Sequence, residues 1–189
     1  MFPFRFLILL LLAIASAPAI TRGDDAQTIS ISVPQGDKLT IRLPAGWQQH
    51  IIQPSPDLPP TVKINPPDET LSLQITLIPD INHRFTTKEI VDRVVSEANE
   101  QYVSGSVEQR LTLEQIPSTH GHGCYSVFTD ASLAKVDKPA KGQYRIVTTG
   151  IFIIGKEAAA FTLLSDDTKG PEYKQALQVI SEGMAVEQP

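Results

Sequence analysis

The chain has 189 residues, 41% of them hydrophobic and 20% charged, and beyond an export segment it has the length of one ordinary domain. Its net charge is −5, and acidic and basic residues are interspersed with no cluster of Lys and Arg. That distribution excludes nucleic acid as a partner and argues against an anionic membrane surface, because both demand concentrated positive charge.

The amino terminus reads as an address label rather than as structure. Arg5 supplies one positive charge, residues 6–15 are almost wholly apolar, and Ala17-Pro18-Ala19 fits the small-x-small cleavage rule. The apolar run falls short of the roughly 20 residues that a membrane span requires. No Cys comes after it, which rules out a lipid anchor of the bacterial lipoprotein type. The expected organisation is a cleavable signal peptide over 1–19, a flexible mature amino terminus over 20–28, and a single domain over 29–189. The expected location is exported, periplasmic or secreted, with no membrane attachment after cleavage. A chain of this size buries roughly 70% of its unfolded surface and needs no disulfide framework. It has none to offer, since Cys124 is the one cysteine.

Ile29, Ile31 and Val33 alternate with Ser30 and Ser32, the period-two pattern of a half-buried strand. After turn residues 34–38, Leu39, Ile41 and Leu43 alternate again, which predicts a hairpin. Pro44-Ala45-Gly46 permits a sharp bend, and Trp47 is expected to fold back over the core. Residues 53–60, QPSPDLPP, predict an extended loop with polyproline character. Val62 and Ile64 make a short strand. Leu71, Leu73, Ile75 and Leu77 then alternate with Ser72, Gln74 and Thr76, predicting a strand exposed on its polar face.

Thr86 and Glu89 stand at capping-box spacing before a helix. Ile90, Val91, Val94, Ala98 and Tyr102 form its predicted apolar face, and Gly105 its stop. Val107, Leu111 and Leu113 predict a further strand, and another is expected over 122–129. Residues 135–142 read as a polar loop. Residues 143–166, QYRIVTTGIFIIGKEAAAFTLLSD, hold the most apolar run and predict two long strands joined at Gly155-Lys156-Glu157. Ile151, Phe152, Ile153 and Ile154 are apolar on both faces, as in a central strand covered on each side. Ala158, Ala159 and Ala160 leave room for close packing, ahead of Phe161 and Leu163. A closing helix begins near Pro171 with Tyr173, Ala176, Leu177, Ile180 and Met184 as its apolar stripe. Strands, a mid-chain helix, four more strands and a carboxy-terminal helix predict an α+β single-domain sandwich, mostly antiparallel, with both helices packed on the sheet.

Leu43-Pro44-Ala45-Gly46-Trp47 closing an early strand resembles the L-P-x-G-W entry of the PsbP-like superfamily, which includes exported DcrB-like proteins. The proline-rich stretch 65–68 before the strand at 71–78 is similar to that pattern, as are the single long helix and the entry at Gly121 and Gly123. So is the long final hairpin before a carboxy-terminal helix. The resemblance implies a small non-catalytic accessory or adaptor protein that binds another envelope or secreted protein. It carries over no functional residue.

Enzyme signatures are missing: the chain has no G-x-S-x-G elbow, phosphate-binding glycine loop, H-E-x-x-H or C-x-x-C. Asp24-Asp25 and Asp166-Asp167 are adjacent carboxylates, which on extended backbone point to opposite faces and do not converge. The one constellation of metal-ligand type is His120-Gly121-His122-Gly123-Cys124. On a strand, His120, His122 and Cys124 share a face, and imidazole with thiolate suits Zn²⁺ or Cu⁺. His50 and His83 are the remaining imidazoles. The other reading of the same residues is a glycine-flexed loop tip leading into a strand, with Cys124 as a small buried apolar residue. No catalytic residue and no other cofactor is indicated.

Overall fold

The computed structural model describes residues 26–80 and 82–187. The predicted signal peptide, 1–19, and residues 20–25 of the predicted flexible stretch lie outside the described residues. The alternating apolar residues of the first hairpin form β1 (Gln27–Ser32) and β2 (Lys38–Leu43), so the strand starts two residues ahead of the expected domain boundary. Then come β3 (Gln48–Ile52), β4 (Thr61–Asn65), β5 (Leu71–Pro79) and α1 (Lys88–Val103). The second half holds β6 (Glu114–Gln115), β7 (His122–Thr129), β8 (Ile146–Ile154), β9 (Glu157–Ser165), α2 (Pro171–Ser181) and β10 (Met184–Val186). Every pairing in these strands is antiparallel, which makes the fold class α+β, as the sequence predicts.

Seven strands form one sheet in the order β3-β4-β5-β9-β8-β7-β6, and three form a second in the order β1-β2-β10. The predicted long hairpin, β8 and β9, lies in the middle of the large sheet. The inner face of that sheet meets the small sheet and α2 across the main core. Leu39 and Ile41 of β2, Leu73 and Ile75 of β5, Phe152 and Phe161 are all buried there. Such close-packed aromatic and branched residues are where truncation costs most. Trp47 joins this core, and Tyr173 of α2 shares a 2.7 Å hydrogen bond with Thr148 of β8 across it. On the outer face α1 lays Val91 and Val95 against Cys124, Ile153 and Ala158, a much smaller cluster. Neighbouring alanines of β9 divide by strand alternation: Ala159 belongs to the main core and Ala158 to the one under α1.

Several expectations are corrected. Thr87, not Thr86, caps α1: it is extended (φ −133°), and its Oγ1 accepts from Ile90 N at 3.4 Å. The helix is also rotated from its predicted face. It buries Val91, Val95 and Asn99 and leaves Ala98 exposed, because the Asn99 amide donates to Thr149 O at 3.1 Å. The strand expected around Val107, Leu111 and Leu113 shrinks to β6. There Glu108 takes the place of a neighbouring strand, its carboxylate accepting from Thr129 N (2.9 Å) and Oγ1 (2.8 Å), and Gln109 turns the chain away at φ +49°. Residues 53–60 do not run extended throughout. Leu58 N donates to Ser55 O, and the Gln53 amide reaches Pro56 O and Leu58 O, folding the loop on itself. Met184 leaves the helix for β10, which pairs with β2. Ser72, placed on an exposed face by alternation, is buried.

The two sheets are tied at one end by Glu157, the first residue of β9. Its side chain is fully buried, and Oε1 accepts from Asp37 N in the β1–β2 turn at 2.5 Å. Burial pushes this carboxyl up; the bond from Asp37 N opposes that, and the Asp37 and Asp80 carboxylates add to it. Gly36 leaves space for the contact, since a Cβ there would sit 2.3 Å from Oε1.

Candidate functional site

Two of the three sequence-predicted ligands share a strand face, and the third stands off it. His122 and Cys124 lie on β7 at alternate positions, opposite Ile153 and Ile151 of β8, and so share the face under α1. His120 precedes the strand in a bend and is exposed, its backbone N–H donating to Ser118 Oγ at 3.1 Å. Cys124 is completely buried in the small core. Burial pushes its thiol up to about 12, and the neighbouring Asp92 carboxylate acts in the same direction. A thiol in that environment is held in its protonated form, the opposite of what a thiolate ligand needs.

Asp92 itself is half-buried on α1. Burial works against its charge, but hydrogen bonds from Gln115, Cys124 and Lys88 hold it below the usual carboxylate range. Gln115 Nε2 lies 3.0 Å from one carboxylate oxygen and Lys88 Nζ 3.1 Å from the other. His50 stands on β3, five strands away from β7 across the sheet, and His83 lies in the turn before α1. Among the described residues no three His, Cys, Asp or Glu side chains come together as a metal site would require. The glycines serve the sheet rather than a ligand. A Cβ at Gly121 would lie 2.0 Å from Ile153 O, and one at Gly123 would lie 2.2 Å from Ile151 O. They let β7 press against β8.

Another feature was not visible in the residue pattern. β3 forms one end of the large sheet and β6 the other. β6 is two residues long, whereas β3 offers five, paired among the described residues on one side only, to β4. Gln48-Gln49-His50-Ile51-Ile52 contains no Lys, Arg, Asp, Glu or Pro, the residues that usually blunt such an edge. Ile51 and Ile52 are 41% and 44% exposed, and Leu58 on the folded proline-rich loop beside them is 48% exposed. The signal in the sequence was faint, because two adjacent isoleucines after three polar residues do not alternate. Only the pairing with Thr61–Asn65 makes them a strand.

No helix among the described residues is long and apolar enough to cross a membrane. No protein-family model matches the chain, and no curated protein matches it. Among solved structures it is similar to the solution structure of cyanobacterial PsbP (CyanoP) from Synechocystis sp. PCC 6803. The two share 12% identity with a TM-score of 0.47, over 92% of this chain and 99% of that one.

Proposed function

We propose that the chain is an exported, non-catalytic accessory protein of the PsbP-like type that binds another envelope or secreted protein along the β3 edge. The observation that carries this reading is an uncharged strand edge five residues long, with Ile51 and Ile52 exposed on it. An extended segment of a partner protein can complete such an edge by strand addition, in which backbone hydrogen bonds supply affinity and side-chain contacts supply selectivity. The adjacent loop, already folded through Gln53, costs little entropy to present Leu58 beside it. The L-P-x-G-W resemblance of the sequence supports the accessory role.

Site-specific photocrosslinking in the exported fraction tests it. A crosslinking residue at Ile52 should give a discrete adduct, and the same probe at the exposed Lys174 of α2 should give none. Ile52→Lys, which charges the edge, should remove adducts formed by a probe at Ile51. It should change stability by no more than about 0.5 kcal/mol, as a surface substitution does. Adducts of equal yield at Ile52 and Lys174, or none at either, would overturn the assignment of the edge.

A further inference from the structure

On the outer face of the large sheet, beyond the reach of α1, the polar side of β5 is roofed by the loop between β7 and β8. Beneath that roof is a groove of about 620 Å³, within the roughly 300–1,000 Å³ range of small-molecule sites. Ser72 and Gln74 of β5 and Asn65 of β4 line its floor, and Tyr144 lines its wall. Ser72 is 4% exposed, yet neither its Oγ nor the buried Asn65 Oδ1 has a hydrogen-bond partner among the described residues. Buried polar atoms are nearly always paired, so two orphans in one groove point to a bound polar group.

The groove is built before anything enters it. Arg145 donates through Nε and Nη2 to Val136 O (3.1 and 2.6 Å), and its backbone N–H donates to Asp166 Oδ1 at 2.9 Å. Gln143 and Ala140 hydrogen-bond to each other in both directions across the loop tip, and Gly142 makes the turn at φ +83°. Tyr144 Oη donates to Glu69 O at 3.2 Å, and Lys141 pairs with the Glu69 carboxylate at 3.1 Å, joining the roof to the β4–β5 turn.

The charges choose the ligand class. Lys63, Lys138 and Lys141 line the groove, and so do Asp68, Glu69 and Asp166, so the opposing charges balance. A phosphate or carboxylate ligand would call for surplus cation, and a cationic ligand for surplus carboxylate. What the floor asks for is a donor to Asn65 Oδ1 and a group that can either donate to or accept from Ser72 Oγ. A hydroxyl does both. Burial, with the Glu69 and Asp166 carboxylates, pushes the Tyr144 phenol up, so this wall stays an uncharged aromatic ring with a polar tip. We infer that this groove binds a neutral polyhydroxylated ligand, a short stretch of uncharged oligosaccharide, independently of the β3 edge.

Amide NMR spectra of the purified chain test this with uncharged trisaccharides of glucose, mannose and N-acetylglucosamine. A uronic-acid trisaccharide and an uncharged Ser/Gly peptide serve as comparisons. At least one neutral trisaccharide should give saturable shifts of the Asn65 and Gln74 side-chain amides and of backbone amides in 138–144. The uronic acid and the peptide should give none. Ser72→Ala should weaken that binding at least tenfold and leave the thermal midpoint of the free protein unchanged or higher, because it removes a hydroxyl that lacks a partner. The inference is overturned by the absence of saturable shifts with every neutral sugar, by shifts confined to other surfaces, or by equal binding of the charged sugar or the peptide. Unweakened binding in a folded Ser72→Ala protein also overturns it. To separate a free sugar from a glycan carried on a larger polymer, the same protein is tested for retention on the polymer of whichever sugar binds: retention that the trisaccharide competes away marks a polymer-borne glycan, and no retention marks a free sugar.

Discussion

The two faces of the seven-stranded sheet are made from the same strands, and they are built for different ends. The inner face meets a second sheet and a helix across the main apolar core, and buries Thr148, Glu157 and Ser165 among its apolar residues. The outer face contributes only Cys124, Ile153 and Ala158 to the small cluster it forms with α1, and elsewhere carries a polar groove whose lining includes two buried oxygens without a partner among the described residues. Apolar packing gains stability from each contact, whereas an unpaired buried oxygen forgoes it. Such oxygens occur on both faces, Glu157 Oε2 and Ser165 Oγ on the inner one and Asn65 Oδ1 and Ser72 Oγ on the outer, and the outer pair belongs to residues that line a groove. The difference between them separates what folds this protein from what it offers to other molecules.

The comparison is sharpest in the response to truncation. Phe152→Ala or Phe161→Ala in the main core should cost about 3–5 kcal/mol, read from urea unfolding. Val95→Ala, under α1, should cost about 1.5–2.5 kcal/mol, for fewer lost methyl contacts and a shallower core. If Val95→Ala proves as costly as Phe152→Ala, the two faces do not differ as described.

Glu157 tests the tie between the sheets. Its folded-state pKa is raised above the ordinary carboxylate value by burial, so the native state holds its proton more tightly than the unfolded chain does. Stability from this group is therefore full below the unfolded pKa. It declines as pH rises through the interval up to the raised folded value. Glu157→Gln keeps an acceptor for Asp37 N and should flatten that part of the stability–pH curve measured by thermal melts from pH 4 to 7. An unchanged curve would mean that this carboxyl is not held protonated.

The smallest effect is expected at an exposed position of the groove floor on the outer face. Gln74→Ala should change stability by no more than about 0.5 kcal/mol, since its side chain is exposed. Its neighbour Thr76 differs from the alternation reading, because its hydroxyl shares a 2.9 Å hydrogen bond with Thr61. Removing it should cost about 0.5–1.5 kcal/mol by the same chemical-denaturation measurement. Equal effects at the two positions would erase the boundary between the covered and open parts of this face.

Most of the large sheet was legible because its strands alternate or run apolar over many residues: β5, β7, β8 and β9 lie where the pattern puts them. What escaped depends on partners distant in sequence. β3 is a strand only because β4 returns to it across the proline-rich loop. The rotation of α1 comes from one amide, Asn99, finding Thr149 O fifty residues away. The groove requires residues 138–144 to fold over Ser72, which no local pattern around Ser72 announces. Alternation correctly set His122 and Cys124 on one face. The expected strand start at His122 holds, but carrying the alternation back to His120 does not, because the chain bends there, and nothing local announces that Asp92 arrives beside the thiol.

Trp47 is the chain's single tryptophan, and it is buried in the main core directly ahead of β3. Its position makes the protein its own fluorophore-labelled sample. Emission will report main-core unfolding, and any perturbation of the β3 edge that reaches its first residue, without a dye or a mutation. The groove on the outer face lies across the sheet from that indole, so occupation of the groove should leave the emission spectrum unchanged. One optical channel can thus separate events on the two surfaces: a partner docking at the edge registers, and a ligand in the groove stays dark.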